Sequence, residues 1–264
     1  MAGGGVGRNL RRRRFGQVRA ERRRFAMSRM HWILVGMACV VLALAGSAVR
    51  ARDEGTEKAG EGGWRDTFPV DKANLADAGK NPYFSLEPGN RLTFEDGKDT
   101  LTITVLGETK VVDGVKTRVV EERETKNGKL AEVSRNYFAI DKTTGDVYYF
   151  GEDVDTYKDG KVTGHGGAWL AGVNGARFGL MMPGEPKVGD KYCQEVAPKV
   201  AMDRADVVSV TEEVKVPAGE FKNCLRTRES SALERGSEDK LYAAGVGLLK
   251  DEDFVLVKAE NLKP

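Results

Sequence analysis

The chain has 264 residues and a formal net charge of +2, and 40% of its residues are hydrophobic. Ten arginines but only one acidic residue, Glu21, lie within residues 1–30. Without residues 1–51 the chain keeps 31 basic and 39 acidic side chains, a formal charge of about −8. This acidic balance argues against nucleic-acid binding by the rest of the protein, because such binding depends on phosphate neutralisation by Lys and Arg.

An uncharged apolar run, residues 32–49, follows the arginines and leads into Ala48-Val49-Arg50-Ala51. A basic segment, an apolar segment and small residues at a cleavage point are the three parts of a secretory signal. We therefore expect an exported protein that works in the periplasm or outside the cell.

Three interpretations of this leader, residues 1–51, stay open because it is longer than an ordinary signal peptide. Translation could start at Met27 or Met30. Residues 22–27 resemble a twin-arginine export motif. Alternatively, residues 32–49 stay uncleaved as a membrane anchor, since 18 residues are near the lower limit for a spanning helix. In every case we expect membrane contact only through this segment.

Residues 52–80 are rich in Gly, Glu, Asp and Lys. Such a composition buries too little apolar surface to offset the entropy of ordering, so it predicts a flexible polar spacer. From Asn81 onward, short apolar alternations are separated by turn dipeptides. We expect one β domain over residues 81–264, which is long enough for a substantial core.

The strand pattern is clearest where Leu101, Ile103 and Val105 alternate with threonines. Asn127-Gly128 lies between two such runs, and this dipeptide is the strongest short-range signal for a hairpin. Asp159-Gly160 predicts another turn. About eleven strands and no amphipathic helix predict a mainly β fold, either a single curved antiparallel sheet or an open half-barrel.

Residues 162–188 interrupt this regular spacing. Long connections in compact domains are usually functional or disordered, and this one is too apolar for disorder. Its apolar side chains either fill the open end of the sheet or bind a ligand. The candidate ligand-binding residues are Trp169, Phe178, Met181 and Met182, because Trp and Met are common in apolar pockets.

Two cysteines, Cys193 and Cys224, remain outside the leader. Period-two alternation places both with charged neighbours, which predicts a surface disulfide in an oxidising compartment. One observation opposes this pairing. A strand between the two would separate them by about 10 Å in a simple meander, which is too far for a disulfide.

The C-terminal part contains two notable stretches, Val216-Pro217-Ala218-Gly219-Glu220-Phe221-Lys222-Asn223-Cys224-Leu225 and Leu241 to Lys250. They resemble a V-P-A-G-x-F-x-x-C-L and Y-A-x-G-V-G-L-x-K pattern of uncharacterised bacterial exported β proteins. The resemblance covers about 35 residues. It implies an open, curved antiparallel sheet like that of periplasmic lipoprotein carriers, with a concave apolar face for a lipid or a partner.

The sequence offers few candidates for a catalytic residue or a metal ligand. His165 is the one histidine outside the leader, and glycines flank it, so it has no rigid support as a catalytic base. Glu152, Asp153 and Asp155 form a second candidate, a cation site, although the EF-hand spacing fails. No motif indicates a catalytic centre, a cofactor or a multi-histidine metal site.

We therefore expect an exported, non-catalytic binding module that holds a lipid or other apolar ligand on a concave sheet face. The alternative is a structural or protein-interaction module of the cell envelope. A hydrolase is the third hypothesis, and it requires a cleft in which His165 or a pair of acids has converging hydrogen bonds.

Overall fold

The computed structural model describes residues 63–262, which form a mainly β domain with one short 3-10 helix, Lys72–Asn74. Within these residues no helix is long and apolar enough to cross a bilayer. The predicted leader lies outside the described residues. The sixteen strands are β1 Leu75–Ala76, β2 Asn90–Asp96, β3 Asp99–Val112, β4 Val115–Lys126, β5 Lys129–Asp141, β6 Val147–Lys158, β7 Lys161–Gly164, β8 Trp169–Leu170, β9 Arg177–Met182, β10 Lys191–Cys193, β11 Glu195–Val196, β12 Asp203–Val216, β13 Gly219–Ser231, β14 Glu238–Ala243, β15 Gly247–Asp251 and β16 Phe254–Asn261.

Local turn chemistry explains the hairpins. Asn127 and Gly128 have φ values of 51° and 75°, and Asp159 and Gly160 have 50° and 76°. A two-residue turn with positive φ at both positions matches the twist of the flanking strands. Both predicted hairpins, β4–β5 and β6–β7, are therefore confirmed.

All strand pairs are antiparallel, and one sheet runs in the order β10-β12-β13-β14-β15-β16-β2-β3-β4-β5-β6-β9-β11. Only Gln194 separates β10 from β11. Because β10 pairs with β12 and β11 pairs with β9, the segment 191–196 joins the two edges of the sheet. The sheet is therefore nearly closed and barrel-like.

The predicted antiparallel β fold is confirmed, but its details differ from the expectation. The described residues contain sixteen strands where about eleven were expected. The added strands are short, and β1, β8 and β11 have two residues each. Such short pairings come from long-range contacts, which a local alternation pattern does not contain.

Residues 63–80 belong to the range where the sequence predicts a flexible spacer, yet this part is packed on the sheet. Phe68 is buried and lies edge-on to Tyr148 at 5.9 Å. Asp77 accepts a hydrogen bond from the buried Arg118 guanidinium at 2.6 Å. The buried Phe68 and the Asp77–Arg118 ion pair hold this segment on the sheet. The average composition of the segment does not reveal these two contacts. Residues 52–62 lie outside the described part.

The predicted disulfide is wrong in the structure: Cys193 and Cys224 are both free and buried. Cys193 pairs with Arg204 of β12, whereas Cys224 pairs with Glu212 on the other side of the same strand. Eight residues along a strand span about 27 Å, far beyond disulfide reach. The alternation argument failed at Cys224 because Asn223 has a φ of 53° and the register shifts there.

Candidate functional site

A pocket of about 270 Å³ lies at the side of the sheet, between the segment 168–176 and the turn 197–200. Strand β6 forms its inner boundary. The lining residues are Glu152, Asp153, Ala168, Trp169, Leu170, Val173, Asn174, Ala176, Ala197, Pro198 and Val200. Most of these residues are apolar, and the two acidic residues, Glu152 and Asp153, are neighbours on β6.

Gly151 allows the close approach that builds this pocket. It pairs with Leu170 of β8, and it has a φ of 133°. A Cβ atom at this position would lie 2.3 Å from the carbonyl oxygen of Trp169. Only glycine can therefore bring β8 onto β6 and place the Trp169 indole at the pocket wall.

An aromatic series leads from the pocket into the interior. Trp169 lies edge-on to Tyr149 at 5.3 Å, and Tyr149 stacks on Phe138 at 4.7 Å. Phe84 contacts Phe138 edge-on at 4.9 Å. We call Phe84, Phe138 and Tyr149 the aromatic end of the interior.

The four ligand-binding candidates separate in the structure, and only Trp169 lines this pocket. Phe178 stacks on Phe150 at 4.8 Å and also contacts Tyr148. Met182 is buried in the core, and Met181 lies 3.7 Å from the side-chain nitrogen of Gln194. One part of the predicted connection therefore fills the core, and another part bounds a pocket.

The inner face of the sheet also carries acidic side chains, and of these only Glu152 was a candidate from the sequence. Glu122 of β4, Glu132 of β5, Glu152 of β6 and Glu195 of β11 form what we call the carboxyl cluster. The register places Glu122 opposite Ser134, and Ser134 opposite Val154 on the next strand. Lys240 influences Glu122 although four strands separate β14 from β4 in the sheet, so this interaction crosses the interior.

Burial controls the ionisation of the carboxyl cluster. It raises the pKa of Glu122 to about 7, and nearby Lys240 offsets part of the rise. Burial, followed by repulsion from Glu152 and Glu124, raises the pKa of Glu132 to about 8. Burial and Glu122 likewise raise the pKa of Glu152 to about 8. The carboxyl groups are therefore electrostatically coupled.

Glu195 connects the carboxyl cluster with the pocket wall. Burial, with added repulsion from Asp203 and Glu152, holds its pKa well above the ordinary value, and the Trp169 side chain is close enough to lower it in part. Even so, Glu195 Oε2 and Trp169 Nε1 are both buried without a partner in hydrogen-bond geometry. An unsatisfied acceptor and an unsatisfied donor thus lie beside the pocket.

A second group of charges on the inner face is neutralised internally. Lys240 Nζ lies 3.1 Å from Asp251 and 3.4 Å from Glu229. Glu229 also accepts hydrogen bonds from Gln194 and Thr227, both at 3.1 Å. This network is satisfied, which distinguishes it from the carboxyl cluster.

The predicted cation site is not assembled, because strand alternation divides its members. Glu152 faces the interior, whereas Asp153 binds Lys110 at 2.9 Å and Tyr137 at 2.5 Å. Asp155 contacts His165 Nδ1 at 2.8 Å, and the His165 side chain is 68% exposed. Across residues 63–262, no three His, Cys, Asp or Glu side chains are arranged to hold a metal ion.

No protein-family model, curated protein or solved structure matches this chain.

Proposed function

We propose that this domain is a non-catalytic binding protein that takes a small ligand with an apolar body into the pocket beside Trp169. The observation that carries the proposal is the pocket itself. Its volume of about 270 Å³ is near the lower end of the range for small-molecule sites, and its walls are mostly apolar with few polar groups.

The rim of the pocket supports an apolar ligand body. Val173 and Val200 are 49% and 47% exposed, and they lie on the two segments that border the opening. Exposed aliphatic side chains on both sides of a concave opening can lose contact with water when a ligand enters. The proposed ligand site is therefore a small pocket beside Trp169, whereas the sequence led us to expect a broad concave face of the sheet.

We further propose that the protein acts outside the cytoplasm after export by residues 1–51. Mass spectrometry of the protein from a periplasmic extract tests this proposal. A mass that begins at residue 52 supports cleavage after Ala51, whereas retention of the full mass in the membrane fraction supports the anchor. A full-length protein in the cytoplasmic fraction would contradict export.

The alternative, an envelope protein-interaction module, has one supporting feature. Within the described sheet β7 pairs only with β6, which leaves the outer edge of residues 161–164 without a strand partner. An exposed edge can pair with a partner strand. We prefer small-molecule binding because the pocket has a defined volume and lining.

A titration with N-phenyl-1-naphthylamine, a neutral apolar fluorophore, tests the proposed function on the full chain. We expect saturable binding that weakens about tenfold or more in Trp169→Ala, because the indole forms a wall of the pocket. Trp64→Ala is the matched control, since Trp64 contacts Arg204 and Lys191 away from the pocket.

A second pair of variants tests the pocket without changing Trp169, in case Trp169→Ala does not fold. Val200→Asp places a charge at the exposed rim, whereas Val188→Asp places the same charge at a residue that is 62% exposed and does not line the pocket. We expect only Val200→Asp to weaken fluorophore binding. Equal binding by both variants and by Trp169→Ala would overturn the proposed function.

A further inference from the structure

The carboxyl cluster makes no ion pair among the described residues, although Lys240 and Lys126 are near enough to offset part of the pKa rise of Glu122 and Glu132. Ion pairs form at Glu124 with Lys126 at 3.3 Å and at Glu229 with Lys240 at 3.4 Å. No ion pair reaches Glu122, Glu132, Glu152 or Glu195 in the described part of the chain. Glu132 and Glu195 are buried, whereas Glu122 and Glu152 are half-buried. Because buried acids are normally paired, Glu132 and Glu195 depart from the usual arrangement of a protein interior.

Glu132 is the clearest case of a buried acid without a partner in this cluster. It is 2% exposed, and neither of its carboxyl oxygens has a hydrogen-bond partner. It lies opposite Glu124 on β4 and Thr156 on β6, so its side chain shares the inner face with the rest of the cluster. A carboxyl group in this position lacks a donor, and a positively charged donor would also reduce the repulsion from its neighbours.

The carboxyl cluster reaches the pocket through Glu152, the one of its four acids that lines the pocket and that lies opposite Trp169 in the β6–β8 pairing. Glu152 lines the pocket and also affects the ionisation of Glu132 and Glu195. Trp169 likewise lines the pocket and lies next to Glu195. A ligand in the pocket can therefore direct one end of its structure towards the cluster.

Aromatic rings lie next to these acids. Tyr149 and Trp169 are 5.3 Å apart, with an interplanar angle of 79°. The Tyr149 side chain is close enough to Glu152 to lower its pKa in part. Aromatic faces beside carboxyl groups are typical of sites for organic cations, because both attract positive charge.

We propose that the ligand of the pocket is a small organic cation, whose ammonium or guanidinium group binds the carboxyl cluster while its apolar body contacts Trp169. This inference rests on the proposed function and names its ligand class. The four acids come from four different strands. Such a spread suits a cationic group with several N–H donors, whereas a metal ion requires tightly converging ligands.

Isothermal titration calorimetry of the full chain with two matched probes tests the inference. 4-Phenylbutylamine is a cation at pH 8.5, because alkylamines have a pKa near 10.4. 4-Phenylbutan-1-ol has the same apolar body without the charge. We expect the amine to bind about tenfold more tightly than the alcohol, which corresponds to one additional charge-assisted contact.

Charge-neutralising variants show which carboxyl groups cause the tighter binding of the amine. We expect Glu152→Gln and Glu132→Gln each to weaken amine binding at pH 8.5 by about fivefold to tenfold and to lower the ratio of amine affinity to alcohol affinity by a similar factor. Glu213→Gln is the matched control. Its carboxyl group is 73% exposed and pairs with Lys222 on the β12–β13 hairpin, so both affinities should equal those of the wild type.

The outcomes separate the two proposals. Equal binding of amine and alcohol, both weakened by Trp169→Ala, overturns the cationic ligand and supports the pocket. Amine binding that is insensitive to Glu152→Gln and Glu132→Gln also overturns it. Binding of neither probe overturns the cationic ligand class, and the neutral fluorophore titration then decides independently whether the pocket binds ligands at all.

Discussion

The two ends of the sheet interior share one backbone pattern but differ in chemistry. At the aromatic end, Phe84, Phe138 and Tyr149 form close ring contacts. Nearer the Asn127-Gly128 turn, the equivalent inward positions of β4 and β5 carry Glu122 and Glu132. Apolar burial stabilises the first region, whereas buried, unpaired acids destabilise the second. The second region therefore reflects a requirement other than folding.

The largest expected effect comes from truncation at the aromatic end. Phe138 is 3% exposed and contacts both Phe84 and Tyr149. Phe138→Ala should lower the free energy of unfolding by about 3–5 kcal/mol through lost burial and a residual cavity. Urea unfolding measures this change, and Val188→Ala, at an exposed site, should change it by less than about 0.5 kcal/mol. A small effect of Phe138→Ala would show that this end is not the stable core.

Gly151→Ala should have the next largest destabilising effect. The added Cβ would lie 2.3 Å from the Trp169 carbonyl oxygen, at a φ of 133°. We expect a loss of about 2–3 kcal/mol in urea unfolding from backbone strain and weaker fluorophore binding, because β8 must move. Gly128→Ala is a useful comparison, since Gly128 has a φ of 75° but a Cβ added there would meet no atom within 4 Å. Unchanged probe affinity in Gly151→Ala would separate β8 from the pocket.

At the carboxyl cluster a substitution should raise the free energy of unfolding, because removal of a buried charge stabilises the protein. Glu132 ionises near 4.5 in the unfolded chain and with a pKa of about 8 in the folded chain. The unfolded state therefore binds fewer protons between these values, and stability falls as the pH rises from about 4.5 to about 8. Glu132→Gln should raise the free energy of unfolding at pH 8 by up to about 4 kcal/mol relative to its effect at pH 4.5, because about three pK units separate the two conditions.

Urea unfolding at pH 4.5, 6 and 8 measures this difference. The groups that face Glu132 contribute to the wild-type slope as well: Glu122, Glu124 and Glu152 repel its charge, and Lys126 attracts it. Glu213→Gln, at the exposed surface, should leave the slope unchanged. Parallel pH profiles for wild type and Glu132→Gln would contradict the assignment of Glu132 as a buried, unpaired acid.

The smallest expected effect is at His165. Its side chain is 68% exposed, although Nδ1 lies 2.8 Å from Asp155. An exposed pair of this kind contributes about 0–1 kcal/mol, so His165→Ala should change urea unfolding by less than about 1 kcal/mol. Fluorophore binding should stay at the wild-type level. A marked loss of binding would extend the site beyond the pocket described above.

Part of the fold could be predicted because it depends on neighbouring residues. Asn127-Gly128 and Asp159-Gly160 specify turns through their own backbone preferences, and alternation along β3 identifies a strand. Three residues that the sequence singles out line the pocket: Trp169, because a long apolar connection is unusual, and the neighbouring acids Glu152 and Asp153. Phe178 and Met182 belong to the same apolar connection, yet Met182 lies in the core and Phe178 packs against it.

Glu152 was a candidate from the sequence, but its grouping with the other acids of the carboxyl cluster was missed for a physical reason. A regular two-residue hairpin at Asn127-Gly128 would pair Glu124 with Ala131, but a bulge next to Thr125 pairs it with Glu132. One inserted residue transfers a side chain to the opposite face of a strand. Spacing in the sequence therefore could not show that Glu122, Glu132 and Glu152 share the interior.

The antiparallel β character, the tight hairpins and the strongly basic N-terminus follow from the amino-acid sequence alone, because each depends on local backbone preferences or on composition. Three further features required the tertiary structure: the closure of the sheet through residues 191–196, the separation of Cys193 from Cys224, and the union of Trp169 with the interior acids. These features result from pairing between distant strands and from bulges that alter register, and such contacts have no local signature.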